Sequence, residues 1–232
     1  LLQNETISLL DKTFLKASAY SKCIKKEKIY LNAKKYYEDE FLGNEDKINE
    51  FLPDVKDNMP SYQELNIDVL PSKIDEFVLK HETTKNVFFT SIFAYTLSRF
   101  VGSSYAYFSL IYNGRDKLKD NESIGMFVST LPIIIDCQND TINNFIKKAS
   151  SRIYETIKYS FYPFKDLKNT YGLKDNIEFQ YQPLLIRGSK MNESGMLSYK
   201  DIKSRTDFIS DLSFSLMDDG NHYVLCVTSS NK

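Results

Sequence analysis

The sequence predicts an α/β (α+β) fold, a mixed β-sheet flanked by helices. Three observations lead there. Helical and strand-like periodicities interleave as far as Pro163, strand-like runs dominate beyond Ile177, and Asp218-Asp219-Gly220-Asn221 supplies a strong hairpin turn between the last two runs. The chain carries no internal repeat, low-complexity tract or heptad run, and one domain accounts for it.

Residues 6–42 read as one helix, with Tyr30, Ala33, Tyr37 and Phe41 sharing a face and Gly43 as its stop. Pro53 and Pro60 bracket a polar connector. Ser61 to Asp68 reads as a short strand, and Pro71 opens a helix in which Ile74, Phe77 and Val78 repeat at helical spacing. Asn86 to Val101 is apolar nearly all round, the pattern of a helix buried between layers, and Gly102 ends it. Tyr105 to Tyr112 and Leu131 to Ile135 have the length and flanking turns of buried strands. Asp140 or Thr141 caps the next helix, whose Ile142, Phe145, Ile146, Ala149, Ile153 and Ile157 trace an amphipathic stripe up to Phe161-Tyr162-Pro163. Ile177 to Gln182, Leu197 to Ile202, Ile209 to Leu216 and Tyr223 to Thr228 follow as strands.

Composition removes several function classes. The 232 residues are 42% hydrophobic and 26% charged, with 30 basic against 31 acidic side chains, so no single-sign field recruits nucleic acid or an anionic membrane. Cys23, Cys137 and Cys226 are odd in number and widely spaced, which fits neither a disulfide framework nor a thiolate metal site and points to a reducing, cytoplasmic setting. The most apolar helical window, Val87 to Leu97, is shorter than a bilayer span and is followed by Arg99. Because the chain opens on Leu1 and stops directly after a strand-like run, it is expected to be a piece of a longer polypeptide. Phosphate-binding loops, nucleophile elbows, His-Glu-x-x-His and paired cysteines at zinc spacing are all missing. His81 and His222 each lack a partner at useful spacing, and Cys137 reads as a small hydrophobe at a strand end. The basic run Lys22 to Lys28 reads as a solvated helix face, with carrier-protein docking as the rival.

One stretch is more specific. Gly114-Arg115, a polar loop, then Ile124-Gly125-Met126-Phe127-Val128-Ser129-Thr130-Leu131-Pro132 resembles a signature of the condensation domains of nonribosomal peptide synthetases, with Ser129 where Asn is usual. Further segments are similar to that family in the same order. Tyr36 to Phe41 resembles its Tyr-Trp-x-x-x-Leu helix, and Asn86 to Phe100 its long buried helix. Tyr159 to Phe164 resembles its His-x-x-x-Pro-Phe segment, Ile177 to Gln182 its Phe-Asn-Tyr-Gln strand, and Asp211 to Leu216 its Asp-Leu-Ser strand. The catalytic His-His-x-x-x-Asp-Gly motif is absent from the chain, and the Arg-Asp-x-Ser-Arg-Asn-Pro stretch is not recognisable.

The resemblance implies a lobe of chloramphenicol acetyltransferase type spanning residues 1–232, the carboxyl-terminal of two that face each other across a tunnel. Within it, 1–60 is a helical entry and connector, 61–182 holds the sheet, helices and signature, 183–205 is a crossover segment and 206–232 a closing hairpin. Its expected partners are the amino-terminal lobe, peptidyl carrier proteins and a neighbouring adenylation domain. It would bind no cofactor itself, the 4′-phosphopantetheine arms being carried by the carrier proteins. No catalytic residue is expected in this chain, since the histidine motif belongs to the other lobe, and the chain alone is expected to be inactive. The alternatives are an epimerisation domain or freestanding acyltransferase of the same superfamily, and a non-catalytic scaffold that docks carrier proteins. In the family the segment after the Phe-Asn-Tyr-Gln strand crosses to the other lobe, so Leu184 to Arg205 is expected to be mobile or to pair with a second copy in a strand-swapped homodimer.

Candidate site residues follow from the matched positions. Glu178, Gln180 and Gln182 alternate with Ile177, Phe179 and Tyr181, so one face of that strand is polar. Gln180 and Gln182 are expected on the tunnel floor, Gln180 first; a strand with one wet face is the equal alternative. Gly125 is assigned to close backbone approach and Ser129 to a hydrogen bond toward the tunnel, or to one with its own backbone. Arg115 either pins the loop before the signature or reaches a phosphate, and Asp211 holds a structural ion pair.

Overall fold

The computed structural model describes residue 24 and residues 27–48, 61–115, 125–138, 140–183 and 210–229. Its elements are α1 (Lys28–Phe41), β1 (Ser61–Ile67), α2 (Pro71–Lys80), α3 (Lys85–Phe100), β2 (Tyr105–Tyr112), β3 (Ser129–Asp136), α4 (Ile142–Lys158), α5 (Phe164–Tyr171), β4 (Ile177–Pro183), β5 (Leu212–Asp218) and β6 (Tyr223–Ser229). The six strands form one sheet in the order β1-β6-β5-β4-β2-β3. β4 runs parallel to both β2 and β5, and the other pairings are antiparallel, so the sheet is mixed as expected. Pro132 sits in β3, an edge strand, where its missing N–H costs no ladder bond on the open side.

The strands bury opposite faces against different partners. Ala106, Phe108, Leu110 and Tyr112 of β2 point with Phe179 and Leu216 into the main core beneath α2, α3 and α4. Tyr107 and Ile134, directly paired across β2 and β3, point the other way into a second, largely aromatic core with Tyr37 and Phe41 of α1 and Leu167 of α5. Tyr36, Tyr37, Tyr159 and Tyr162 pack ring on ring here at 4.9 to 5.5 Å. Polar contacts lock α1 onto α4: Glu40 pairs with Arg152, and the Tyr36 hydroxyl meets Thr156 Oγ1 at 2.8 Å. Burial pushes the Glu40 carboxyl above its usual range, and the Arg152 guanidinium offsets part of that rise.

Four expectations need correction. The helix expected over 6–42 does not run through Glu27, which is extended; α1 begins only at Lys28, and residues 6–23 of that expectation lie outside the described ones. The short helix α5 is not among the expected elements, although Pro163 at its start and the left-handed Gly172 at its end bracket it as helix boundary residues do. α3 is not buried all round, since Ile92, Tyr95 and Phe100 are exposed on its outer side. The strand expected from Ile209 begins at Leu212, and the Ser210–Asp211 bend precedes it. The strand expected at Leu197 to Ile202 and the crossover at 183–205 lie, past Pro183, outside the described residues. Thr141, rather than Asp140, caps α4 by accepting from Asn144 N at 3.3 Å.

Candidate functional site

Strand alternation places Glu178, Gln180 and Gln182 of β4 on the face that α1 and α5 cover only over β2 and β3. Register extends that polar strip sideways. Ser109 of β2 and Ser213 of β5 flank Glu178, Ser215 lies beside Gln180, and Thr228 of β6 lies beside Ser213. The Gln180 amide donates from Nε2 to Ser215 Oγ, which leaves its carbonyl oxygen as an acceptor on the same face. Gln180 and Gln182 are thus brought together with Ser213 and Ser215 of the Asp-Leu-Ser-like segment and with Ser109 and Thr228, which no sequence motif singles out. Ser109 is buried inside β2 and becomes visible only when β2 and β4 are laid side by side.

Among the described residues, Glu178 is the ionisable group of this strip and stands at its Ile177 end. Burial pushes its carboxyl up, the nearby Asp175 charge adds to the rise, and the Ser210 hydroxyl, close by but outside hydrogen-bond geometry, pulls the other way. A folded pKa above the unfolded one means that Glu178 contributes stability that is complete below about pH 4.3 and is lost as pH rises through the folded value. Glu178→Gln is therefore expected to leave stability at pH 4 nearly unchanged and to raise it at pH 7 relative to the parent, read as urea midpoints at both. A gap between the two proteins that is constant with pH would remove the buried-carboxyl account.

The signature loop sits at the far end of β2 and β3. Gly114 has φ +69°, and a Cβ there would come within 2.1 Å of the Phe127 carbonyl oxygen. A close backbone approach is thus made at Gly114. Gly125 offers its carbonyl to Arg115 Nη2 at 3.1 Å, and the Arg115 guanidinium lies 4.8 Å from the centre of the Phe127 ring. Arg115 thereby ties together two sections of the signature. Gly114→Ala is expected to destabilise this loop by roughly 2 kcal/mol or more, combining a left-handed backbone with a main-chain clash. Hydrogen exchange at the Met126 and Phe127 amides should accelerate in that variant; unchanged protection would argue against the tight approach.

Ser129 opens β3 opposite Tyr112, so it faces the main-core side of the sheet, away from Gln180 and Gln182. Asp211 lies in the bend before β5, and no ion pair joins it to another described residue. His81 caps α2 and stacks on Phe77 at 4.2 Å. His222 is in the β5–β6 turn, 3.6 Å from Asp219. Burial raises the Cys137 thiol to about 11, consistent with an inert side chain. Among the described residues, no three His, Cys, Asp or Glu side chains are grouped to hold a metal, and no helix is long and apolar enough to cross a membrane.

On the opposite face, a cavity of about 690 Å³ opens between α3 and β4, β5 and β6, lined by Ile92, Phe93, Phe100, Phe214 and Leu225 among others. Thr96 is the single polar residue among the described ones in its lining. The cavity offers almost nothing to orient a polar reactant, whereas the strip offers amides and hydroxyls.

Comparison with known proteins bears on the fold. The family model described as "Condensation domain" matches residues 1–225. A plipastatin synthase subunit of Bacillus subtilis (strain 168) is 25% identical over 123 residues, covering 50% of this chain and 5% of that protein. Among solved structures, the condensation domain from Monacolin K polyketide synthase MokA superposes with a TM-score of 0.66 at 16% identity, over 93% of this chain and 54% of that one. The epimerization domain from the third module of tyrocidine synthetase B gives 0.65 at 15%, over 99% and 55%. The first condensation domain of the calcium-dependent antibiotic synthetase gives 0.67 at 12%, over 93% and 50%. These structures share the fold, and this chain spans about half the length of each.

Proposed function

This chain belongs to the condensation-domain family, and from that we propose that it forms the carboxyl-terminal wall of a tunnel in which two carrier-bound thioesters are joined by a peptide bond. The polar strip on β4 and β5 carries the reading. It is a half-buried row of amides and hydroxyls on a rigid sheet, beside a half of the same face already filled by the aromatic core. Each reactant arrives on a phosphopantetheine arm, a chain rich in amide groups. Gln180 and Gln182 suit such a guest, since each side chain both donates and accepts. The donor is an acyl thioester and the acceptor an aminoacyl thioester with a free amine. With an activated thioester and an amine of pKa about 8, the wall's contribution is alignment, which supplies roughly 7–11 kcal/mol in well-oriented reactions.

The chain has no His-His-x-x-x-Asp-Gly sequence, so the reactive imidazole is assigned to an opposing amino-terminal half, with carrier proteins and an adenylation domain as further partners. The test mixes this chain with that half from its own parent protein and with two loaded carriers. Amide is expected from the mixture and none from the chain alone. Turnover by the chain alone, or a folded mixture that stays inactive, overturns the reading. Inversion of the acceptor's α-carbon in place of amide formation would assign epimerisation.

A further inference from the structure

We propose that Glu178, Asp175 and Ser109 form a binding site for a primary ammonium group, the free amine of the acceptor aminoacyl arm, on the wall assigned above; the inference rests on that reading. Asp175 precedes β4 and Glu178 is the second residue of the strand, so two carboxyls stand at one end of the polar strip. Ser109 is the register partner of Glu178 across β2 and β4 and points to the same face.

An independent observation separates this cluster from a solvated acidic patch. Ser109 has 1% of its surface exposed, and its Oγ meets no partner among the described residues; the Asp175 Oδ1 is likewise buried and unmet among them. A buried polar atom without a partner costs about 1–3 kcal/mol, and such atoms in folded proteins call for an explanation. Both unmet atoms can accept a hydrogen bond, and so can the half-buried carboxyl of Glu178, register partner of Ser109 and within electrostatic reach of Asp175. Three acceptors with net negative charge match a group that has three donors and one positive charge. They do not match a thioester oxygen or a phosphate, which bring acceptors only. Two carboxyls also fall short of the ligand number that calcium requires.

The same cluster can prepare the amine. An ammonium cannot attack a thioester until it has lost a proton. One proton passing from the ammonium nitrogen to a Glu178 carboxylate oxygen leaves a neutral amine beside a neutral carboxyl, with charge balanced on both sides. Partial burial disfavours the separated ion pair and so favours this transfer, and the raised carboxyl of Glu178 points the same way. Asp175 and the Ser210 hydroxyl are the other groups bearing on that carboxyl.

The test is titration of the full chain with three stable amide analogues of loaded pantetheine, followed through the backbone amides of β4. Glycyl-aminopantetheine presents an α-amine, Nα-acetyl-lysyl-aminopantetheine a side-chain amine, and N-acetylglycyl-aminopantetheine none. The glycyl probe is expected to bind about tenfold more tightly than the acetylglycyl one, and Glu178→Gln should abolish that difference. Ser109→Ala, a smaller change, should reduce the difference in part. Preference for the lysyl probe over the glycyl one would move the site from the α-amine to a basic acceptor side chain and overturn the assignment made here. Equal binding of glycyl and acetylglycyl probes overturns the ammonium site while the wall still holds the arm, so the broader function survives. If no probe binds, the ammonium site falls, and the two-half assay judges the function separately. Thermal unfolding of each variant separates lost binding from lost fold.

Discussion

Asp218→Ala is expected to destabilise the fold by about 3–5 kcal/mol, a large share of the roughly 5–15 kcal/mol that holds a domain together. Asp218 ends β5 with 7% of its surface exposed and collects contacts from three elements. Its Oδ2 accepts from the Tyr181 hydroxyl of β4 at 2.6 Å and lies 3.5 Å from Lys85 Nζ at the start of α3; its Oδ1 accepts from Gly220 N of the hairpin turn at 2.9 Å. Removing the carboxylate strands a phenol and a backbone N–H. It also leaves Lys85 to Asp75, at 2.9 Å on the more exposed side, and to the face of the Tyr223 ring. Urea unfolding gives the size, and a double-mutant cycle with Lys85→Met tests the mechanism: the lysine change should cost much less once Asp218 is gone. A loss under about 1 kcal/mol, or strict additivity, would make the network an incidental surface pair of the kind that contributes little.

Phe108→Ala should cost a comparable 3–5 kcal/mol, roughly, by a different route. Phe108 is fully buried in the middle of β2 and meets the Phe93 ring of α3 edge to face at 5.0 Å. Truncation opens a void where sheet and helix meet, and β2, with β3 and β4 on either side, cannot close it by moving. Phe100, at the end of the same α3 and 70% exposed, supplies the contrast: its alanine variant should shift stability by less than about 0.5 kcal/mol. Similar losses at the two positions would mean that the main core is not where the sheet is anchored. Neither substitution touches the polar strip, so residual folded protein should retain the pantetheine preferences described above.

Much of this is legible in the sequence because its causes are local. Pro71, Thr141 and Gly102 set helix ends through caps and backbone restrictions acting within a turn, and Asp218 to Asn221 set a hairpin. The alternation in β4 identifies the polar face bearing Gln180 and Gln182 without knowledge of any partner strand. The differences also have identifiable causes. Helical spacing runs through Glu27 because periodicity carries no signal for a single extended residue. α5 escapes a reading by periodicity because eight residues with a single buried position leave too short a stripe. Ser129 takes its expected role from its place in a motif, whereas its direction is fixed by pairing with Tyr112.

By itself the sequence determined the family, the identity of nearly every described element and one polar strand face, since motif order, caps and period are written within spans of a few to a few dozen residues. The tertiary structure alone decided which strands are neighbours. That choice set Ser109 beside Glu178, pressed Gly114 against Phe127 and turned Ser129 to the other face. Strand order and register are settled by competition among all ways of burying the two cores at once, and that sum depends on residues far apart along the chain.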